Sequence, residues 1–95
     1  METALSTAYY SCFYAIHSKL ALLGMMAKSH KQVGIEFRRH YIKTNLMAKR
    51  FSRTLALLAQ WRETVDYVPL PQIDFPKAKE LVTMAEEFVT TLLAL

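Results

Sequence analysis

The chain has 95 residues, enough for one domain, and 53% of them are hydrophobic, which excludes an intrinsically disordered protein. A single cysteine excludes an intrachain disulfide, and no apolar run reaches the ~18 residues that a membrane span needs. The N-terminus has no basic residue before Lys19 and no recognisable signal peptide, so we expect a cytoplasmic protein.

The net charge of +4 is unevenly distributed along the chain. Residues 28–53 carry eight basic side chains against Glu36 alone, whereas residues 54–95 lean acidic. The eight are Lys28, Lys31, Arg38, Arg39, Lys43, Lys49, Arg50 and Arg53. Such a basic segment suits an anionic partner such as RNA or a nucleotide. The alternative is a solvated face that keeps an apolar protein in solution.

The first predicted helix runs from near the N-terminus to about Leu23, where Gly24 offers a C-terminal stop. Its apolar residues recur at three- and four-residue steps, namely Leu5, Tyr9, Cys12, Phe13, Ile16, Leu20 and Leu23. A second stripe, about a third of a turn away, consists of Tyr10, Tyr14, His17 and Ala21. A helix that is apolar or aromatic over so much of its circumference is expected at the centre of a bundle.

A shorter second helix is predicted to follow. Ser29 and Gln32 form a capping box that marks its start. Its apolar stripe consists of Val33, Phe37 and Tyr41, and its other side carries much of the basic segment. Thr44 and Asn45 then predict a break.

A third helix is predicted from near Leu46 to about Tyr67. Its stripe contains one anomalous charge and consists of Met47, Phe51, Leu55, Leu58, Arg62 and Val65. An extended linker is expected next, because proline donates no backbone hydrogen bond and restricts the residue before it. The prolines concerned are Pro69, Pro71 and Pro76.

The fourth predicted helix has Asp74 as its N-cap and Pro76 in its first turn. It has the clearest amphipathic stripe in the chain, formed by Ala78, Leu81, Val82, Ala85, Phe88, Val89 and Leu92. No strand-like alternation or internal repeat occurs. We therefore expect one all-α domain over residues 1–95, an antiparallel up-and-down helical bundle with three longer helices and one short helix.

Three segments of this chain resemble one known family. Residues 8–15 read A-Y-Y-S-C-F-Y-A and are similar to an aromatic helix signature written A-Y-Y-A-M-F-H-A. Residues 29–33 read S-H-K-Q-V and are similar to an S-H-K-G-V turn, and residues 62–67 read R-E-T-V-D-Y and are similar to an R-x-x-A-D-Y element. Their order and spacing resemble a branch of the HEPN (higher eukaryotes and prokaryotes nucleotide-binding) family.

The resemblance implies a four- or five-helix up-and-down bundle that is often dimeric. Family members are often encoded beside a minimal nucleotidyltransferase in toxin–antitoxin pairs. The resemblance thus implies a homodimer whose further partner is RNA, a nucleotide or a minimal nucleotidyltransferase. We expect no cofactor, and no membrane partner because no apolar run is long enough to span one. Members usually carry a further long helix before the aromatic one, and this chain begins almost on the aromatic helix. We therefore expect that leading helix to be absent.

Some family members are metal-independent ribonucleases with an R-x(4–6)-H motif on the third predicted helix. This chain has Arg62 there and, five positions on, Tyr67 instead of histidine. A tyrosine with a pKa near 10 is a poor general base at neutral pH. We therefore expect a non-catalytic module. The alternatives are a metal-independent ribonuclease toxin that uses Arg62, and a structural oligomerisation fragment.

The candidate nucleotide- or RNA-binding residues are Arg62, Asp66, Tyr67, Tyr10, His30, Lys31, Arg38 and Arg39. Arginine binds phosphate with its planar fork, although Arg62 and Asp66 could instead form an ordinary i,i+4 ion pair. An aromatic ring can stack on a base or pack in the core. His30 and Lys31 are either phosphate ligands near a helix N-terminus or ordinary turn residues. No His, Cys, Asp or Glu set has metal-ligand spacing.

The absence of a leading helix would leave a groove between the first and fourth predicted helices. Leu5, Phe13 and Phe88 are candidates to line it. An open apolar groove favours self-association, most simply as a two-fold dimer.

Overall fold

The computed structural model describes residues 2–26, 28–67 and 75–95, with side chains at 5–26, 28–62 and 76–95. Its helices are α1 (Glu2–Leu22), α2 (His30–Phe37), a π-helical segment (Arg38–Ile42), α3 (Arg50–Tyr67) and α4 (Phe75–Leu93). No strand occurs in this part of the chain, so the predicted all-α bundle of three longer helices and one short helix is confirmed. None of the described helices is long and apolar enough to cross a membrane.

α1 ends in a Schellman motif centred on Gly24. Gly24 has a φ of 76°, a conformation that costs glycine nothing because it has no Cβ. Its N–H donates to the Ala21 carbonyl at 3.0 Å, and the Met25 N–H donates to the Leu20 carbonyl at 2.9 Å. These bonds satisfy carbonyls that the helix end would otherwise leave unpaired. The predicted stop is thus present.

Ser29 caps α2 as its sequence predicts. The Ser29 side chain accepts a hydrogen bond from the Gln32 N–H at 3.1 Å. Gln32 Oε1 in turn accepts from the Lys28 N–H at 2.9 Å, one residue earlier than in a standard capping box. α2 then continues into the π-helical segment, where the Lys43 N–H donates to the Arg38 carbonyl at 2.9 Å.

α3 begins at Arg50, four residues later than periodicity predicts. Asn45 has a φ of 63° and interrupts the helix, as the sequence indicates. Met47 is buried, and its N–H donates to the Tyr41 carbonyl at 2.8 Å. Because a tertiary contact already fixes Met47, the residues just before Arg50 form a turn instead of the first turn of α3.

The three long helices alternate in direction. Tyr10 of α1 contacts Arg62 of α3, and Ile16, further along α1, lines the same cavity as Leu55, which lies earlier in α3. These two helices therefore run antiparallel. Cys12 Sγ donates to the Ala85 carbonyl at 3.7 Å, and Lys19 Nζ donates to the Leu95 carbonyl at 3.1 Å. α1 and α4 therefore run in the same direction, with α3 opposed to both.

The core is centred on Phe88, whose side chain is fully buried. The Phe37 and Phe51 rings lie 5.1 and 6.0 Å from it, centroid to centroid. α2, α3 and α4 therefore meet at one aromatic cluster. α1 completes the core with four fully buried side chains, which are Leu5, Cys12, Ile16 and Leu20.

Several sequence predictions fall outside the described part of the chain. The N-cap role of Asp74 and the linker prolines Pro69 and Pro71 lie there. Pro76 does lie in the first turn of α4, which begins at Phe75.

Candidate functional site

A cavity of about 330 Å³ lies between α1, α2 and α3. Its lining comprises Tyr9, Phe13, Ile16, His30, Lys31, Val33, Gly34, Ile35, Arg38, Leu55 and Ala59. Three of the eight predicted binding residues, His30, Lys31 and Arg38, are therefore brought together by the fold. No carboxylate is among the described residues that line it. Apolar walls with a few convergent polar groups are typical of ligand sites.

His30, the first residue of α2, is held against α1. Its Nδ1 lies 2.9 Å from the Tyr9 hydroxyl, and its ring centroid lies 4.1 Å from that of Phe13. Tyr9 itself is buried, so the aromatic stripe of α1 fixes the imidazole in place. His30 is more than an ordinary turn residue, because it joins α2 to α1 at the cavity wall.

Arg38 is oriented by a residue from α3. Its Nε donates to Ser52 Oγ at 2.8 Å. A Cβ atom at Gly34, one helical turn earlier, would lie 3.2 Å from Arg38 Nη1. Gly34 thus lies close to the guanidinium at the cavity, and a larger residue there would displace the end of the Arg38 side chain by a few tenths of an ångström.

Arg39 is not part of this cavity. Its Nη1 lies 3.2 Å from Glu36 Oε1, and its side chain is exposed. Glu36 is buried and its other oxygen lies 3.3 Å from His40 Nε2. Consecutive residues of a helix point in different directions. The Arg38 and Arg39 side chains therefore lie in different surroundings, although the two residues are adjacent in the sequence.

The basic segment remains largely exposed. Seven of its eight basic side chains are exposed and Arg38 is half-buried. Arg50 pairs with Glu87 of α4, and the hydrogen bond from Arg50 lowers the pKa of that carboxyl. Two acidic residues, Glu36 and Glu87, therefore neutralise part of the segment.

Arg62 contacts Tyr10 on α1. Its Nε and Nη2 donate to the Tyr10 hydroxyl at 3.3 and 3.1 Å. The guanidinium carbon lies 5.7 Å from the Tyr10 ring centroid. Arg62 is half-buried, in keeping with its position on the apolar stripe of α3. The side chains of the other two candidates on this helix, Asp66 and Tyr67, lie outside the described residues.

A second depression, of about 470 Å³, lies between α1 and α4. Leu5 and Phe88 do not line it, because both side chains are fully buried in the core. Phe13 does not line it either and faces His30 on the other side of α1. The predicted lining was therefore wrong, and the observed lining is Thr7, Ala8, Ser11, Val82, Ala85, Glu86, Val89 and Thr90.

Cys12 is fully buried and does not line the cavity between α1, α2 and α3. Burial raises the pKa of the Cys12 thiol to about 12, which leaves almost no thiolate at neutral pH. No cluster of three His, Cys, Asp or Glu residues that could hold a metal ion occurs in that part.

The chain resembles known proteins over nearly its whole length. The family profile described as HEPN domain matches residues 1–95. A UPF0332 protein of Thermotoga maritima is 26% identical over 89 residues, which covers 94% of this chain and 67% of that relative. No solved structure matches the chain significantly. The profile match spans the whole sequence, and the chain therefore belongs to the HEPN domain family.

Proposed function

We propose that this chain is a non-catalytic HEPN module that binds RNA or a nucleotide through phosphate groups, in the cavity between α1, α2 and α3. HEPN domains are in general nucleotide- and RNA-related modules. The observation that carries the proposal is the lining of the cavity, where His30, Lys31 and Arg38 converge without a described carboxylate.

The three side chains differ in what they offer a phosphate. Arg38 is held by Ser52 through Nε, so its planar fork is oriented before a ligand arrives. Lys31 is an exposed charge at the edge of the cavity. His30 is held against α1 by the Tyr9 hydroxyl. Together they provide an oriented guanidinium, an exposed ammonium group and an imidazole at the cavity wall.

The test compares matched pairs of charge variants. Lys31→Glu and Lys43→Glu change the net charge equally, and both lysines are exposed, but only Lys31 lines the cavity. Arg38→Gln and Arg39→Gln form a second pair. Fluorescence anisotropy with a labelled, unstructured RNA at low salt should show a larger affinity loss for Lys31→Glu and Arg38→Gln than for their controls.

Salt and competitor titrations sharpen the result. Affinity falls as the salt concentration rises. For each phosphate contact that a variant removes, the slope of log affinity against log salt should become less steep by about 0.7. Competition by ATP would indicate a nucleotide site, and its absence would indicate RNA. Equal losses within each pair would point to a diffuse basic surface. If the wild-type chain binds neither RNA nor ATP, only the solvated-face interpretation remains.

We further propose that the chain forms a two-fold homodimer through the depression between α1 and α4. Val82, Ala85 and Val89 give its α4 side an apolar character. Five more apolar side chains are exposed along and beyond the last turns of α1 and α4, and they are Leu22, Leu23, Met26, Leu93 and Leu95. So much exposed apolar surface on a small domain favours an interface.

A further inference from the structure

We infer that Tyr14 is a base-stacking platform beside the phosphate cavity, which makes the ligand single-stranded RNA and not a duplex. This inference rests on the proposed RNA binding. Tyr14 lies in the middle of α1, yet 65% of its surface is exposed. Large aromatic side chains on a central helix usually pack in the core. A ring that stays exposed there does not contribute to core packing and is available to a ligand.

The Tyr14 ring lies against two neighbouring aromatic rings, which restrict its orientation. Tyr10 lies nearly parallel to it, with centroids 6.2 Å apart and 29° between the planes. Phe13 meets it edge-on at 6.0 Å. Arg62 donates two hydrogen bonds to the Tyr10 hydroxyl and so acts as a positioning residue for the pair. A ring ordered in advance loses little entropy when a base stacks on it.

The surface next to Tyr14 suits a nucleobase better than a phosphate. A shallow depression of about 390 Å³ is lined by Ser6, Thr7, Tyr10, Ser11 and Tyr14. Every one of these residues carries a hydroxyl group, and none carries a charge. A hydroxyl both donates and accepts, so such a surface can meet the edge of any base without requiring a particular one.

The platform and the cavity adjoin across α1. Phe13 contacts Tyr14 on one side and His30 on the other, with centroid distances of 6.0 and 4.1 Å. A strand can therefore place a phosphate near His30 and Lys31 and a neighbouring base on Tyr14. In the interior of a duplex the base faces are stacked on one another and cannot reach the ring. Away from its two ends, a duplex would therefore keep only the phosphate contacts.

The experiment measures the affinity of the full chain for one short RNA, presented as a single strand and as a duplex. Tyr14→Leu should weaken single-strand binding by roughly tenfold or more, since stacking is lost, and leave duplex binding unchanged. Tyr14→Phe, which keeps the ring, should bind both RNAs like the wild type. Leu46→Ala is the control, because Leu46 is an exposed apolar residue that lines neither the cavity nor either depression.

Three outcomes separate this inference from the proposed function. If Lys31→Glu weakens binding but Tyr14→Leu does not, the platform is wrong and the phosphate site stands. If Tyr14→Leu weakens both RNAs equally, or changes the oligomeric state in light scattering, the ring has another role and the platform is again wrong. If the wild-type chain binds no RNA, the platform is wrong, and the phosphate site stands only if the chain binds ATP.

Discussion

Cys12 is fully buried in α1, and burial raises the pKa of its thiol to about 12 from an ordinary value of 9.0. Between these pH values the Cys12 thiol is ionised in the unfolded chain but not in the folded chain. The stability that is fully present below pH 9 is therefore lost as the pH rises towards 12. The predicted loss at pH 10 is about 1.4 kcal/mol in the free energy of unfolding. Urea denaturation at pH 7 and pH 10 measures it.

The matched variant for this prediction is Cys12→Ala. Lysine and tyrosine titrations affect both chains, so the difference between the two pH dependences isolates the thiol. We also expect a thiol reagent to label native wild-type protein only as fast as it unfolds. Rapid labelling of the native protein, or an identical pH dependence in Cys12→Ala, would show that the thiol is accessible.

Arg62 leads to a second prediction, which concerns catalysis. The chain has no histidine four to six residues after Arg62, and the guanidinium binds the Tyr10 hydroxyl. General acid–base assistance usually contributes about 10²–10⁴-fold in rate, so its absence should leave cleavage near background. Purified protein incubated with mixed RNA without metal should therefore give no cleavage. Robust cleavage that disappears in Arg62→Ala would establish the ribonuclease alternative.

Only part of the candidate site could be predicted from sequence. Lys31 and Arg38 stand out as basic residues of the predicted second helix, but the bond from Arg38 to Ser52 joins the π-helical segment to α3 and has no sequence signal. Tyr9 and His30 lie 21 residues apart, so their contact depends on how α1 and α2 pack. Gly34 did carry a signal, since a glycine inside a helix indicates a close approach.

At the scale of elements, the cap of α2 provides a third prediction. Ser29→Ala removes the acceptor for the Gln32 N–H and should cost about 1 kcal/mol. For a domain of this size such a loss lowers Tm by about 4–8 °C. Because α2 carries His30 and Lys31, RNA affinity should fall as well. Circular dichroism melts and anisotropy measure the two effects.

Ser18→Ala is the control for the cap. Ser18 is exposed within α1, where alanine has the higher helix propensity, so its Tm should stay the same or rise slightly. Equal shifts in the two variants would mean that Ser29 contributes no more than a surface serine.

Helix existence was predictable here, whereas helix boundaries depended on local chemistry. Gly24 and Ser29 marked an end and a start because both act through their own backbone or side chain. The start of α3 was misplaced because Met47 is held by the Tyr41 carbonyl, a contact that periodicity ignores. The sequence also did not predict the π-helical segment after Phe37. Its hydrogen bonds join residues that are five positions apart, and this leaves the apolar pattern almost unchanged.

For the whole molecule, the position of α1 explains how one small domain can offer several surfaces. Phe13 faces the phosphate cavity, Tyr14 faces the hydroxyl-lined depression, and Ala8 faces α4. The fourth direction is the core, where Cys12 and Ile16 are fully buried. The nearly continuous apolar and aromatic circumference of α1, which the sequence displays, therefore contributes to a different surface in each direction, with Thr7 and Ser11 shared by the depression beside α4 and the hydroxyl-lined depression.

The fourth prediction concerns the depression between α1 and α4. If two copies meet there about a two-fold axis, Thr90 of one copy lies at the interface with the same patch of the other. Light scattering at micromolar concentration should then give twice the chain mass of 11.0 kDa. Thr90→Glu should dissociate the dimer, because it adds a second carboxylate beside Glu86 in each copy's half of the interface. Thr83→Glu adds the same charge on an exposed position of α4 outside the depression, and it should remain dimeric. A wild-type monomer, or dissociation by both variants alike, would rule out this surface as the dimer interface.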